Sequence, residues 1–120
     1  MALKIPKRQQ QHRSIARSRL QEKELAKRVG GQRTVASGAL DVKGDVRLKR
    51  VLRIEAKTTS KESFRVTTEM LGKIETAALA SNELPAFVVE FTDARGKVRG
   101  SVAVVPLYVL EMMGAWKEGQ

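Results

Sequence analysis

The sequence predicts a single-domain α/β fold, a central mixed β-sheet flanked by helices. Stretches with helical spacing of apolar residues alternate with short strand-like runs, in the order helix, strand, strand, strand, helix, strand, strand, helix. One run, Ala86-Phe87-Val88-Val89-Glu90-Phe91, is apolar nearly throughout and reads as a central strand buried on both faces. A length of 120 residues suits one domain with a modest core, and with no cysteine no disulfide supports it.

Residues 1–13 carry Lys4, Lys7, Arg8 and Arg13 among glutamines and no acid. They read as a basic, flexible arm, either a phosphate contact or a solvated tail. His12 within it is read as incidental. From Ser14 a helix begins, opening the domain over residues 14–120. Ile15, Leu25, Ala26 and Val29 form its apolar stripe, and Gly30-Gly31 ends it. Glu22 lies three, four and seven residues before Leu25, Ala26 and Val29, on the inward edge; Glu24 does not share that spacing. A carboxylate there needs a partner, and a salt bridge to an arginine is the alternative to a role in a site. Gln32 to Leu40 starts as a short strand and passes into a Ser37-Gly38 loop.

Two alternating stretches follow. In Gly44-Asp45-Val46-Arg47-Leu48, Asp45 and Arg47 share one side. In Val51-Leu52-Arg53-Ile54-Glu55-Ala56-Lys57, Arg53, Glu55 and Lys57 oppose Leu52, Ile54 and Ala56. A two-residue turn at Lys49-Arg50 would send Asp45 and Glu55 to opposite faces, so a three-residue loop or a bulge is expected. Asp41 is a rival carboxylate, ranked below Asp45 because it lies in the loop. A helix then runs from about Val66 to Ser81, capped by Thr67 or Thr68, with Met70, Leu71, Ile74, Ala77, Ala78 and Leu79 as its apolar face and Lys73 and Glu75 pointing elsewhere. Asn82 and Pro85 close it. After the strand from Ala86, Asp93 to Gly96 turns the chain into a returning strand, Val98 to Val105. Pro106 opens a last helix through Trp116 with little polar surface. That helix is either a homodimer surface or packed across its own sheet.

The net charge of +10 favours a polyanionic partner, most often nucleic acid; the alternative is a basic protein kept soluble by its charge. No apolar run approaches a membrane span, and the basic N-terminus lacks the apolar segment of a signal peptide. The absence of cysteine suits a reducing cytoplasm and excludes thiol catalysis and thiolate metal sites.

Asp45 and Glu55 on one face suit Mg²⁺, a hard cation that takes oxygen ligands, and Mn²⁺ is expected to substitute. Ala56 can add its carbonyl oxygen, and Lys57 can hold or help activate a water and offset transition-state charge. The alternative is a surface salt bridge from Glu55 to Lys57 or Arg53. Lys43, Arg47, Lys49, Arg50 and Arg53 flank this point and Lys61 and Arg65 follow it. With Arg13 and Arg17 they are the expected DNA contacts. No aromatic residue lies from Lys43 to Arg53 and only Phe64 lies between Lys61 and Arg65, so backbone and shape recognition is expected over base stacking.

The Gly44-Asp45 and Glu55-Ala56-Lys57 arrangement resembles the PD-(D/E)xK nuclease superfamily. With the Glu22 helix, the Ser37-Gly38 loop and the small size, it is most similar to archaeal-type Holliday junction resolvases and related small phage endonucleases. The resemblance spans residues 14–92; Gly44 stands where the family has proline. It implies a restriction-endonuclease-like fold and a Mg²⁺-dependent endonuclease, homodimeric, that cuts branched four-way DNA junctions. It implies catalytic roles for Glu22, Asp45, Glu55, Lys57 and Ser37, in the cytoplasm of the cell or of a phage host. The superfamily also contains nicking, restriction, repair and packaging enzymes, so duplex or single-stranded DNA stays open as substrate. A non-catalytic basic DNA-binding protein is the reading from another class.

Overall fold

The structure, a computed structural model, describes residues 7–34 and 45–119. The elements are α1 (Lys7–Val29), β1 (Gln32–Arg33), β2 (Val46–Leu48), β3 (Leu52–Thr59), α2 (Thr68–Ala80), β4 (Leu84–Thr92), β5 (Val98–Val104) and α3 (Leu107–Glu118). Their order is the expected one. The five strands form one sheet in the order β1-β2-β3-β4-β5. Only β3 and β4 run parallel, joined through α2, so the sheet is mixed. Among the described residues no helix is long and apolar enough to cross a membrane.

α1 begins at Lys7, not near Ser14, so residues 7–13 of the expected arm are helical. Lys, Arg and Gln are good helix formers, but they leave no apolar period by which to recognise the helix. At its other end Gly30 takes φ 71°, Gly30 N–H donates to Lys27 O at 3.3 Å and Gly31 N–H to Ala26 O at 2.8 Å. This is a Schellman stop, the role expected of the glycine pair. Leu25 and Ala26 pack on Val46, Ile54, Ala56 and Ala86, with Val29, Leu52, Val88 and Val105 around them. That layer is one face of the sheet.

The other face carries Pro85, Phe87 and Val89 under α2. The Thr67 hydroxyl caps α2 by accepting from Met70 N–H, and Ile74 and Ala78 are buried. Asn82 closes the helix at φ 56°. Asn82 N–H donates to Leu79 O at 3.2 Å and Glu83 N–H to Ala78 O at 2.8 Å, a second Schellman stop. Pro85 does not belong to that ending; it lies in β4, paired with Arg53. β4 is buried along most of its length, as its continuous apolar run requires.

α3 starts after Pro106 and touches the body through buried Val109 and through the Tyr108 hydroxyl, which donates to Glu75 Oε2 at 3.0 Å. Burial and the Glu75 carboxylate push the Tyr108 phenol pKa up. The molecule measures 59 × 34 × 27 Å, with a radius of gyration of 16.0 Å. A compact chain of this length would have about 13–14 Å.

Candidate metal-dependent active site

The β2–β3 pairing of Val46 with Ile54, Arg47 with Arg53 and Leu48 with Leu52 leaves Lys49, Arg50 and Val51 as a three-residue loop. Arg50 takes φ 64° there, and Val51 N–H donates to Leu48 O at 2.9 Å. The odd loop sets the parity. Carrying the register one step on puts Asp45 opposite Glu55, on the face that also bears Lys57.

Asp45 is fixed on three sides. Its N–H donates to Ile54 O at 2.7 Å, its carbonyl accepts from Thr34 N–H at 3.0 Å, and its Oδ2 accepts from Ala56 N–H at 2.8 Å. Glu55 Oε1 lies 3.4 Å from Lys57 Nζ, and both side chains are partly open to solvent. From the opposite face Gln21 Nε2 donates to Lys57 O at 2.7 Å, tying α1 to the strand behind the lysine. Glu55 and Lys57 line an open pocket of ≈ 230 Å³ with Met70, Lys73, Ile74 and Phe87. Lys73, expected to point elsewhere, therefore belongs to the site's surroundings. It sits one turn past Glu69 on α2, at 3.6 Å from that carboxylate. Helical spacing gave no sign of it, because the overhang of α2 across β3 decides where a flank residue points.

The donor set suits a hard cation. Mg²⁺ commonly takes one or two carboxylates and completes its octahedron with waters and substrate phosphate oxygens, and Asp45 and Glu55 are the two carboxylates that could hold it here. Among the described residues no group of three or more His, Cys, Asp and Glu side chains converges. Glu22 does not complete the pair: its Oε2 accepts from Arg33 Nη2 at 3.2 Å, the salt bridge that was its alternative. Ala56 lies between the acids and gives its N–H to Asp45. Ser37 and Lys43, like Asp41 and Gly44, lie outside the described residues.

Three of the expected DNA contacts are paired with acids of the fold. Arg53 is buried and donates to Glu83 Oε1 at 3.0 Å, Arg47 donates to Glu83 Oε2 at 2.6 Å, and Arg17 Nη2 is 2.6 Å from Glu90 Oε1. Glu83 and Glu90 are themselves buried, and a buried carboxylate without a cation is costly, so these guanidiniums are engaged by the fold: Arg53 is enclosed, while Arg47 and Arg17 remain partly open to solvent. Burial alone would push the Glu83 carboxyl up. Hydrogen bonds from Arg47, from Arg50 N–H and from Arg53, with the Arg47 charge, outweigh it and hold the pKa below the usual glutamate value. Lys49 and Arg50 are exposed at the β2–β3 turn, while Lys61 and Arg65 are exposed beyond the far end of β3. About 20 Å of strand separates the two groups. Arg13 lies in α1, its side chain outside the described ones.

No family model, curated protein or solved structure matches this chain.

Proposed function

We propose that this chain is a Mg²⁺-dependent endodeoxyribonuclease with a restriction-endonuclease-like arrangement, acting on branched DNA such as four-way junctions. The reading is carried by one observation: Asp45 and Glu55 occupy facing positions on adjacent strands, with Lys57 beside them at the mouth of an open pocket. Asp45 and Glu55 would hold the cation, with the Ala56 carbonyl as a neutral ligand. When bound, the ion neutralises charge on the scissile phosphate and acidifies a water. Lys57 Nζ orients that water and offsets the charge that builds on the phosphate oxygens. Lys73, across the pocket, takes a non-bridging phosphate oxygen. The Ala56 N–H to Asp45 bond holds that carboxylate in place throughout, so little reorganisation is needed when substrate arrives. Hydrolysis adds one water across one P–O ester bond.

The test is cleavage of a labelled four-way junction and a matched duplex, with Mg²⁺ or EDTA, by wild type and by Asp45→Asn and Glu55→Gln. Paired cuts in the junction, abolished by EDTA and reduced at least about 100-fold in each variant, are expected. Equal cutting of both DNAs would keep the nuclease and discard the junction.

A non-catalytic DNA-binding protein is the second reading. The 3.4 Å Glu55–Lys57 ion pair and the lack of a three-acid group among the described residues favour it. It expects salt-sensitive binding of either DNA, with no metal-dependent cleavage.

A further inference from the structure

The turn between β4 and β5 is basic. Arg95, Lys97 and Arg99 are exposed, and none of them forms an ion pair among the described residues. The acid of the turn, Asp93, is committed to the backbone. Its Oδ1 accepts from Arg95 N–H at 2.8 Å and from Lys97 N–H at 2.9 Å, and its own N–H donates to Lys97 O at 2.8 Å. Gly96 reverses the chain at φ 85°. The turn is thus held in one shape by main-chain atoms and Asp93, and its three cationic side chains are left to solvent.

This turn shares its end of the sheet with two other basic segments. β3 and β4 run parallel with Thr59 opposite Phe91, so the two strands finish together. Lys61 follows β3 at once, its N–H donating to Thr59 Oγ1 at 3.1 Å. α1 runs the other way: Leu25 and Ala26 pack with Ile54 and Ala56, Gln21 meets Lys57, and Arg17 meets Glu90. Residues 7–16 of the helix therefore continue for about 15 Å toward that same end, and α1 has no acid before Glu22. Lys57, at the mouth of the pocket, pairs with Val89, and Val89 pairs with Val102. By those registers Arg99 lies two strands across and three residues along from Lys57, about 14 Å away. That distance is about four base-pair steps of duplex.

The geometry points to a DNA duplex gripped at this end of the sheet, with Arg95, Lys97 and Arg99 on phosphates about four base pairs from the one seated at the pocket. This rests on the DNA-binding part of the function proposed above, which the catalytic and the non-catalytic readings share. Three features select that partner. The cations are unpaired and follow one another outward from Lys57, as the phosphates of one strand do. No aromatic residue lies from Asp93 to Arg99, so the contact is with the backbone and not with unstacked bases. The apolar side chains of the turn are Ala94 and Val98 alone, too little to enter an anionic bilayer.

The test is binding of a labelled duplex and a labelled four-way junction in EDTA at several salt concentrations, so that it does not depend on cleavage. Arg95→Ala with Lys97→Ala and Arg99→Ala should weaken binding at least about 10-fold and lower the slope of log affinity against log salt by about two to three. Arg95→Ala alone should lower it by about one. Lys23→Ala with Lys27→Ala, at exposed sites in the second half of α1, should change neither, and the melting temperature of every variant should match wild type. A triple variant with the wild-type slope overturns this inference and leaves DNA binding by the chain intact. An equal loss per charge in the α1 variant also overturns it, because binding then follows net charge and not the turn. A wild type that binds neither DNA, or that binds anionic vesicles in their place, removes the DNA readings and this inference together.

Discussion

Glu83 has the most concentrated set of partners of any acid in the described structure. It lies buried between the end of α2 and β4 and accepts from Arg47, Arg53 and the Arg50 N–H. Glu83→Gln removes the charge and leaves two inward guanidiniums short of a counterion. It should lower stability by about 3–5 kcal/mol in urea unfolding. The pH dependence follows from the lowered pKa. The stabilisation is full above the unfolded-state glutamate value and is lost as pH falls through the lower folded value. Wild type should therefore lose stability as the solution is acidified below about pH 5, with a shallower slope in Glu83→Gln. Lys73 is a contrasting residue, exposed and weakly paired with Glu69. Lys73→Ala should leave the melting temperature unchanged and weaken binding to DNA in EDTA. If it meets one phosphate, the slope of log affinity against log salt falls by about one; an unaltered slope would remove Lys73 from the interface.

At the scale of elements, two glycines separate packing from propensity. A Cβ on Gly31 would lie 2.7 Å from Arg47 O, a backbone atom of the neighbouring strand, whereas one on Gly72 in α2 would meet nothing within 4 Å. Gly31→Ala should cost about 1–3 kcal/mol by pushing α1 off β2, and Gly72→Ala should add about 0.5–1 kcal/mol. Thermal melts of the two variants in opposite directions would check both. The regular elements were legible because their periods are clean. The parity argument narrowed the connection to an odd loop or a bulge, and the structure has the odd loop, Lys49–Val51. What stayed hidden was polar. The arginines of β2 and β3 alternate with apolar residues and read as solvated, yet Arg53 is inside because Glu83 is there to receive it. Glu90 carried a signal in the sequence, being a carboxylate in a strand buried on both faces, which demands a cation; only the docking of α1 shows that the cation is Arg17. Glu22 and its rival role could not be separated without β1, which supplies Arg33.

For the whole molecule, the positive charge divides into an inner and an outer set. Arg17, Arg47 and Arg53 answer buried acids, while Lys49, Arg50, Lys61, Arg65 and Lys73 face solvent. Arg17→Met should therefore reduce stability with no change in the salt slope of DNA binding, and Lys61→Ala with Arg65→Ala should do the reverse. Urea titration beside binding at two or more salt concentrations separates them. The Glu83 cluster also fixes an order of assembly. The carboxylate is 30 to 36 residues downstream of the three groups it receives, and α2 must form between them. The hairpin that carries Asp45, Glu55 and Lys57 thus keeps two arginines uncompensated until residue 83 has docked, which requires closing a long loop first. During synthesis the strands bearing the proposed acids wait for chain made later, so a polypeptide ending at Asn82 should show neither cooperative melting nor cleavage. On the proposed reading, the nascent chain would stay harmless until β4 has been made.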